Sequence, residues 1–287
     1  MQHSAMNYTL ARLSHIISSM GNPVLDGARA KIERAIHHLQ QLDIAVNKLW
    51  ASESERISTY PPSYKMEGQH LIIFRARSAP VDPSLPLIVG DCIHNVRSAL
   101  DHLVFQLAIL NHSTVESASK TSFPVCLTHA EFKNATRNKI APFISGVALA
   151  EIEKLQPYST GDGKQDILWA LSQLDIIDKH RLLIVTKSKV RPTRFTITNP
   201  SGEEATCYLP PHDWKPSEAG TELIRFDFSK SVLPPGKVKM KVETAMTVQI
   251  EETELSCDGM IVQAALNDCI QHAVNIIDVF GKLFFSE

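Results

Sequence analysis

The sequence is short of the features that usually give a function away. Its five cysteines, at 92, 126, 207, 257 and 269, are odd in number and never fall in CxxC spacing. That excludes a disulfide framework and a zinc knuckle, and it fits buried thiols in a reduced, cytoplasmic protein. Charge of either sign is not in excess. The formal net charge is -2, so no global basic field favours nucleic acid or an anionic membrane. No apolar run approaches the roughly 20 residues that span a bilayer. The N-terminal "MQHSAMNYTLARLSHIISSM" lacks the basic start and unbroken apolar core of a signal peptide. G-x-x-x-x-G-K-[ST], G-x-G-x-x-G, G-x-S-x-G and HExxH are all missing, which removes support for P-loop, dinucleotide, hydrolase-elbow and zincin readings.

What is present is 44% hydrophobic residues over 287 positions, enough for a full core. A short helix is expected near 8–19, followed by a break at Gly21 to Pro23. Asp26 is placed to cap a helix over 27–52, where Ile32, Ile36, Leu39, Ile44 and Leu49 recur at helical spacing. Further long helices are expected at 87–111, 165–179 and 258–285, and short ones at 129–135 and 147–154. "HLIIFRARS" reads as a strand. From 182 to 251 apolar and polar residues alternate, with "NPSGE" and "LPPGK" as turns, which predicts an antiparallel sheet of five or six strands. The expected fold is therefore α+β, a bundle of four main helices with the sheet inserted before the last one. The expected divisions are an N-terminal extension (1–26), a helical region with one strand (27–181), the sheet (182–251) and a returning helix (252–287), packed as one compact unit.

The chemistry is concentrated in "GDCIHNVRSALDHLVFQLAILN", residues 90–111. At about 100° per residue, His94, Ser98, Asp101 and Phe105 form one line with Arg97 beside it. Val96, Leu100, Leu103, Leu107 and Leu110 form the opposite, core-facing arc. The polar line therefore faces water, a cleft or a second subunit. Arg97 and Asp101, one turn apart, can pair. Arginine can stabilise a phosphorane-like transition state and histidine can move a proton near neutral pH, so Arg97 and His102 together offer RNA cleavage without metal or cofactor.

"RSALDH" resembles the R-x4-H signature of the HEPN superfamily. That resemblance implies a helical bundle, metal-independent ribonuclease activity of toxin or defence type, and a homodimer that builds one active site. Residues five apart lie about 140° apart around a helix, so a shared site for Arg97 and His102 needs a dimer interface or an irregular turn. Over roughly 27–185 the chain is also similar to a family of uncharacterised bacterial proteins, through "ARAKIERA", "GDCIHNVRSALDHLVFQLA", "FPV", "IEKLQPY" and "LSQLDIIDKHRLL" in that order. No established activity comes with that resemblance.

A second polar cluster, Asp178, Lys179, His180 and Arg181, stands where a helix passes into a strand. Basic groups there complement the helix C-terminus, or His180 and Arg181 assist Arg97 at a phosphate. Asn267, Asp268, Gln271, His272, Asn275 and Asp278 form a polar face on the last helix.

The expected site thus has Arg97, His102 and Asp101 as catalytic groups, with His94, Ser98, Asp178, His180 and Arg181 binding RNA. Arg97 would stabilise the phosphate, His102 would be acid or base, and Asp101 would orient Arg97. The competing expectation is a noncatalytic ligand-binding or protein-interaction module in which the same groups are a structural network. A third is a metal site drawn from His94, His102, Asp178, His180 and His272. Basic residues at 186–194 and 237–241 read chiefly as edge-strand lysines and arginines, with nucleic-acid binding as the lesser reading.

Overall fold

A computed structural model describes residues 23–49, 51, 82–183, 185, 248–252 and 255–286 in full, and the backbone of further helix and strand residues. Seven α-helices are present among the described residues: α1 (Asp26–Thr59), α2 (Ser84–Leu110), α3 (Val115–Ala118), α4 (His129–Arg137), α5 (Gly146–Lys154), α6 (Ile167–His180) and α7 (Val262–Phe284). The helix expected near 8–19 lies outside the described residues.

Among the described residues the expected single sheet of five or six strands is not found. Among the residues described in full helix predominates, and the one complete strand is β8 (Val248–Ile250). The remaining strands, traced by backbone alone, are β1 (Tyr64–Glu67), β2 (His70–Phe74), β3 (Val185–Lys187), β4 (Arg191–Thr198), β5 (Glu204–Tyr208), β6 (Glu222–Asp227) and β7 (Lys239–Ala245). They divide into small separate groups, β1-β2-β6, β5-β4-β7 and the pair β3-β8. Alternation shows that a run is extended, but partner and register come from turns and distant contacts. Here β2 takes β6 as its antiparallel partner, His70 opposite Asp227, across a separation that no local pattern reports.

The chain forms two compact units rather than one. The first contains the described residues up to Asp43, Pro83–Val185 and the segment from Gln249 on; the second contains Ile44–Asp82 and Thr186–Val248. The second unit thus takes in residues 44–82, which the sequence assigned to the helical region.

In the first unit α2 packs against α6 and α7. Its buried stripe is Val89, Cys92, Ile93, Val96, Ala99, Leu100, Leu103, Val104 and Leu107, recurring every three or four residues. Leu110, expected in this arc, is instead exposed. On α1 the buried stripe is Ala28, Ile32, Ala35, Ile36, Leu39, Leu42 and Val46, while Ile44 falls outside it and is 69% exposed. Asp26 is not a cap. A 3-10 turn (Pro23–Leu25) precedes it, and as a first-turn residue it pairs with Arg29 at 3.0 Å. Its carboxylate there still complements the helix dipole. On α7 the inner face is Ala265, Leu266, Cys269, Ile270, Ala273, Val274, Ile277 and Phe280.

Between α3 and α4 the chain runs without helix or strand, and Phe123, Pro124 and Cys126 of this segment are buried. Buried backbone outside regular structure needs its polar groups paired. The Gln156 side chain, fully buried, supplies one set. Its Nε2 donates to the Pro124 carbonyl at 2.9 Å and to the Ile152 carbonyl at 3.1 Å, and its Oε1 accepts from the Cys126 N–H at 3.0 Å. The next turn starts α4, closed by a capping box in which Thr128 and Glu131 exchange hydrogen bonds with one another's backbone.

Gln156→Ala is expected to lower stability by at least about 2 kcal/mol, because it strands a buried N–H and a buried carbonyl at once. Urea unfolding followed by circular dichroism measures it, and a loss within about 0.5 kcal/mol, the range of ordinary surface substitutions, would remove Gln156 from this role.

Candidate functional site

The titratable residues of α2 do not converge. Each line of the helix meets a different neighbour. Arg97 and Asp101 close on the backbone of Phe123 from both sides. Arg97 Nη2 donates to the Phe123 carbonyl, and Asp101 Oδ1 accepts from the Phe123 N–H at 2.8 Å. The two side chains pair across one turn, Nη1 to Oδ1, at 3.2 Å. Nη1 is buried and has ion-pair distance there without hydrogen-bond alignment. Burial pushes the Asp101 carboxyl above the ordinary carboxylate range. Arg97, the Phe123 N–H and Lys179 offset part of that rise, and Asp175 adds to it.

His102 points elsewhere. A Cβ on Gly27 of α1 would stand 2.9 Å from its Nδ1, so the imidazole lies against that glycine. Arg97 and His102 therefore do not share a site within this chain. Ser98, between the two lines, is half-buried.

His94 meets α6. Its Nδ1 lies 3.0 Å from Oδ1 of Asp175, whose side chain is 4% exposed, while the His94 side chain is 56% exposed. Lys179 Nζ holds the other carboxylate oxygen at 2.6 Å. One turn from Asp175, the Asp178 carboxyl is pressed onto Gly90 of α2, where any Cβ would overlap it. Burial, with Asp91 and Asp175 close by, pushes Asp178 upward, and His94 opposes the rise. Sequence reasoning named Asp178 and Lys179 in one polar cluster but missed Asp175. Asp175 precedes Asp178 by three residues and Lys179 by four, so all three share one helix face, and that spacing was the available signal.

His180 and Arg181 do not reach Arg97. His180 is exposed. Arg181 forms a two-pronged pair with the buried Glu252, at 3.0 and 2.6 Å, which ties the end of α6 to the segment after β8. The expected phosphate contact by Arg181 is thus replaced by an internal ion pair. His272 stands on α7; burial lowers its pKa and the charge of Asp166, the N-cap of α6, opposes that. Among the described residues no group of three or more His, Cys, Asp or Glu side chains converges as a metal would need. The described cysteines, 92, 126, 257 and 269, are free and buried; burial pushes Cys257 up to about 11 and Cys269 to about 12. No helix among the described residues is long and apolar enough to cross a membrane.

Comparison with family models, with curated proteins and with solved structures finds no match. Geometry alone informs the site.

Arg97→Ala frees the Phe123 carbonyl and leaves Asp101 without its cation, an expected loss of about 2–4 kcal/mol. Asp101→Asn should cost less than Asp101→Ala, because the amide oxygen still accepts from the Phe123 N–H. Equal losses would show that the carboxylate charge, not the acceptor, matters.

The raised Asp101 also fixes a sign. Its folded pKa lies above the unfolded value near 4, so its contribution is full below about pH 4 and is lost as pH rises through the folded value. Asp101→Asn should therefore flatten the fall of the urea midpoint above pH 4 relative to wild type, and an unchanged slope would contradict the assignment.

Proposed function

We propose that the chain is an interaction module rather than a ribonuclease, with Arg97 and Asp101 serving as a structural clamp. The observation that supports this reading is the occupation of Arg97 and Asp101 by the two polar groups of the Phe123 backbone. A phosphate at Arg97 would have to displace a buried carbonyl and leave it unpaired. HEPN-like RNA cleavage, and with it a toxin or defence role, would in addition need His102 brought round from Gly27 or supplied by a second subunit.

The partner surface this reading favours is on α7, where Val279 and Leu283 stand one turn apart and are 51% and 55% exposed. A second copy of the chain is the partner we assign to it, giving a homodimer. The buried free thiols fit a reduced, cytoplasmic setting. RNA as a bound partner, without cleavage, has its basic residues on the paired strands β4 and β7, which carry Arg191, Arg194, Lys239 and Lys241.

The test combines two measurements on the full chain. EDTA-treated protein is incubated with mixed tRNA and mRNA beside Arg97→Ala and His102→Ala, and the three are unfolded in urea. Intact RNA together with a less stable Arg97→Ala supports the module. Cleavage that survives chelation and disappears in both variants would replace it with the endoribonuclease. Sedimentation of wild type against Val279→Glu/Leu283→Glu should show a dimer that becomes a monomer; an unchanged mass would move the partner surface away from α7.

A further inference from the structure

His94 lies on the same line of α2 as Asp101, two turns before it, and pairs with Asp175 of α6, whose charge and that of Lys179 also reach Asp101. His94 is more than half exposed, so its imidazole contributes little to the core. Asp175 is buried, which costs desolvation unless it is paired. An ionised carboxylate only accepts, so the proton between the two groups belongs to His94 Nδ1. When the ring carries that single proton, Nε2 is its free basic nitrogen, on a side chain that is 56% exposed. Lys179 on the far oxygen keeps Asp175 from rotating. This is the arrangement of an oriented base: the histidine outside, its orienting carboxylate inside, and a cation behind the carboxylate.

The surrounding charges restrict what such a base could act on. On α2, Asp91 stands one turn before His94. On α6, Asp178 faces the same ring, with Asp175 and Lys179. From α1, His38 lies within reach of the Asp91 charge and has Arg34 near it. Around the imidazole itself carboxyls outnumber cations, so an anionic substrate is disfavoured. Lys179, the cation closest to the pair, is engaged by Asp175, which leaves a developing oxyanion to water. Only acyl groups with good leaving groups tolerate that.

We propose that His94 and Asp175 form a general-base dyad that hydrolyses neutral or cationic activated esters. Nε2 takes a proton from water while the water oxygen bonds to the acyl carbon. The tetrahedral intermediate then breaks its bond to the leaving oxygen, and the imidazolium returns the proton to that oxygen. Carboxylic acid and alcohol are the products, and no cofactor or redox partner takes part. The activity does not rest on the scaffold role of Arg97 and Asp101, and can stand or fall separately from it.

The probe is 4-nitrophenyl acetate, followed by nitrophenolate release, with the anionic mono-4-nitrophenyl succinate as comparison. His94→Gln, assayed at a temperature below its own unfolding transition, should lower the second-order rate at least about tenfold. Asp175→Asn should lower it by a similar factor and shift the pH profile of the remainder. The succinate ester should react more slowly than the acetate. Nitrogen-detected NMR of the folded wild type gives a readout independent of whether Asp175→Asn folds: neutral His94 should carry its proton on Nδ1, opposite to the tautomer that prevails in water. A His94→Gln rate equal to wild type, or an Nε2-protonated His94, would overturn the dyad. Equal rates on the two esters would overturn the charge selection.

Discussion

Burying an extended stretch of chain inside a helical unit poses one constraint before any other. Around Phe123, Pro124 and Cys126 the backbone lies in the core with no ladder to pair it. Each unpaired N–H or carbonyl there costs about 1–3 kcal/mol. The protein answers with three side chains. Arg97 and Asp101 take the carbonyl and N–H of Phe123, and Gln156 takes the carbonyl of Pro124 and the N–H of Cys126. Remove the clamp and the segment cannot stay buried, and the packing of α4 and α5 beyond it loses its anchor. The polar stripe of α2 is first an answer to this constraint.

Helical geometry explains why the rest of the stripe is dispersed. Successive residues turn by about 100°, so Asp101 and His102 cannot share a direction. With Asp101 committed to Phe123, His102 is carried round to Gly27 of α1. His94 and Arg97 are three apart and diverge by about 60°, enough for one to meet α6 and the other the extended segment. A motif such as R-x4-H is a statement about sequence separation. In this helix that separation sends its two members to two different neighbours, the Phe123 segment and α1.

The helices were legible in the sequence because their apolar period is long and repeated. Expected and observed ends of α2, 87 against Ser84 and 111 against Leu110, differ by the few residues by which helix ends fray. The sheet was not legible. Alternation in 182–251 marked extended segments, but the pairing of β2 with β6 and the splitting of strands into small groups depend on distant contacts. At the site, Arg97 and Asp101 were identified as a pair, yet their common target was hidden, since nothing in "FPV" announces that its backbone will be buried. "LQPY" was noticed only as a resemblance, although Gln156 is half of the clamp. Arg181 was read as a phosphate ligand because its partner, Glu252, lies 71 residues away.

The α2–α6 crossing poses the opposite problem. Here the chain collects charge that packing does not require. Gly90 leaves room for the Asp178 carboxyl, and the close approach of the helices sets Asp175 against His94. Asp91 and Asp178 stand together, and their proximity is one of the causes that hold Asp178 above its ordinary range. Of this set only Asp175 is buried, and its desolvation is offset by His94 and Lys179. The Phe123 clamp is accounted for by the backbone it satisfies. The His94–Asp175–Lys179 set pairs side chain with side chain across the α2–α6 crossing and leaves the imidazole more than half exposed. A buried carboxylate that orients a solvent-facing imidazole is therefore where chemistry, rather than architecture, gives the better account of the residues present.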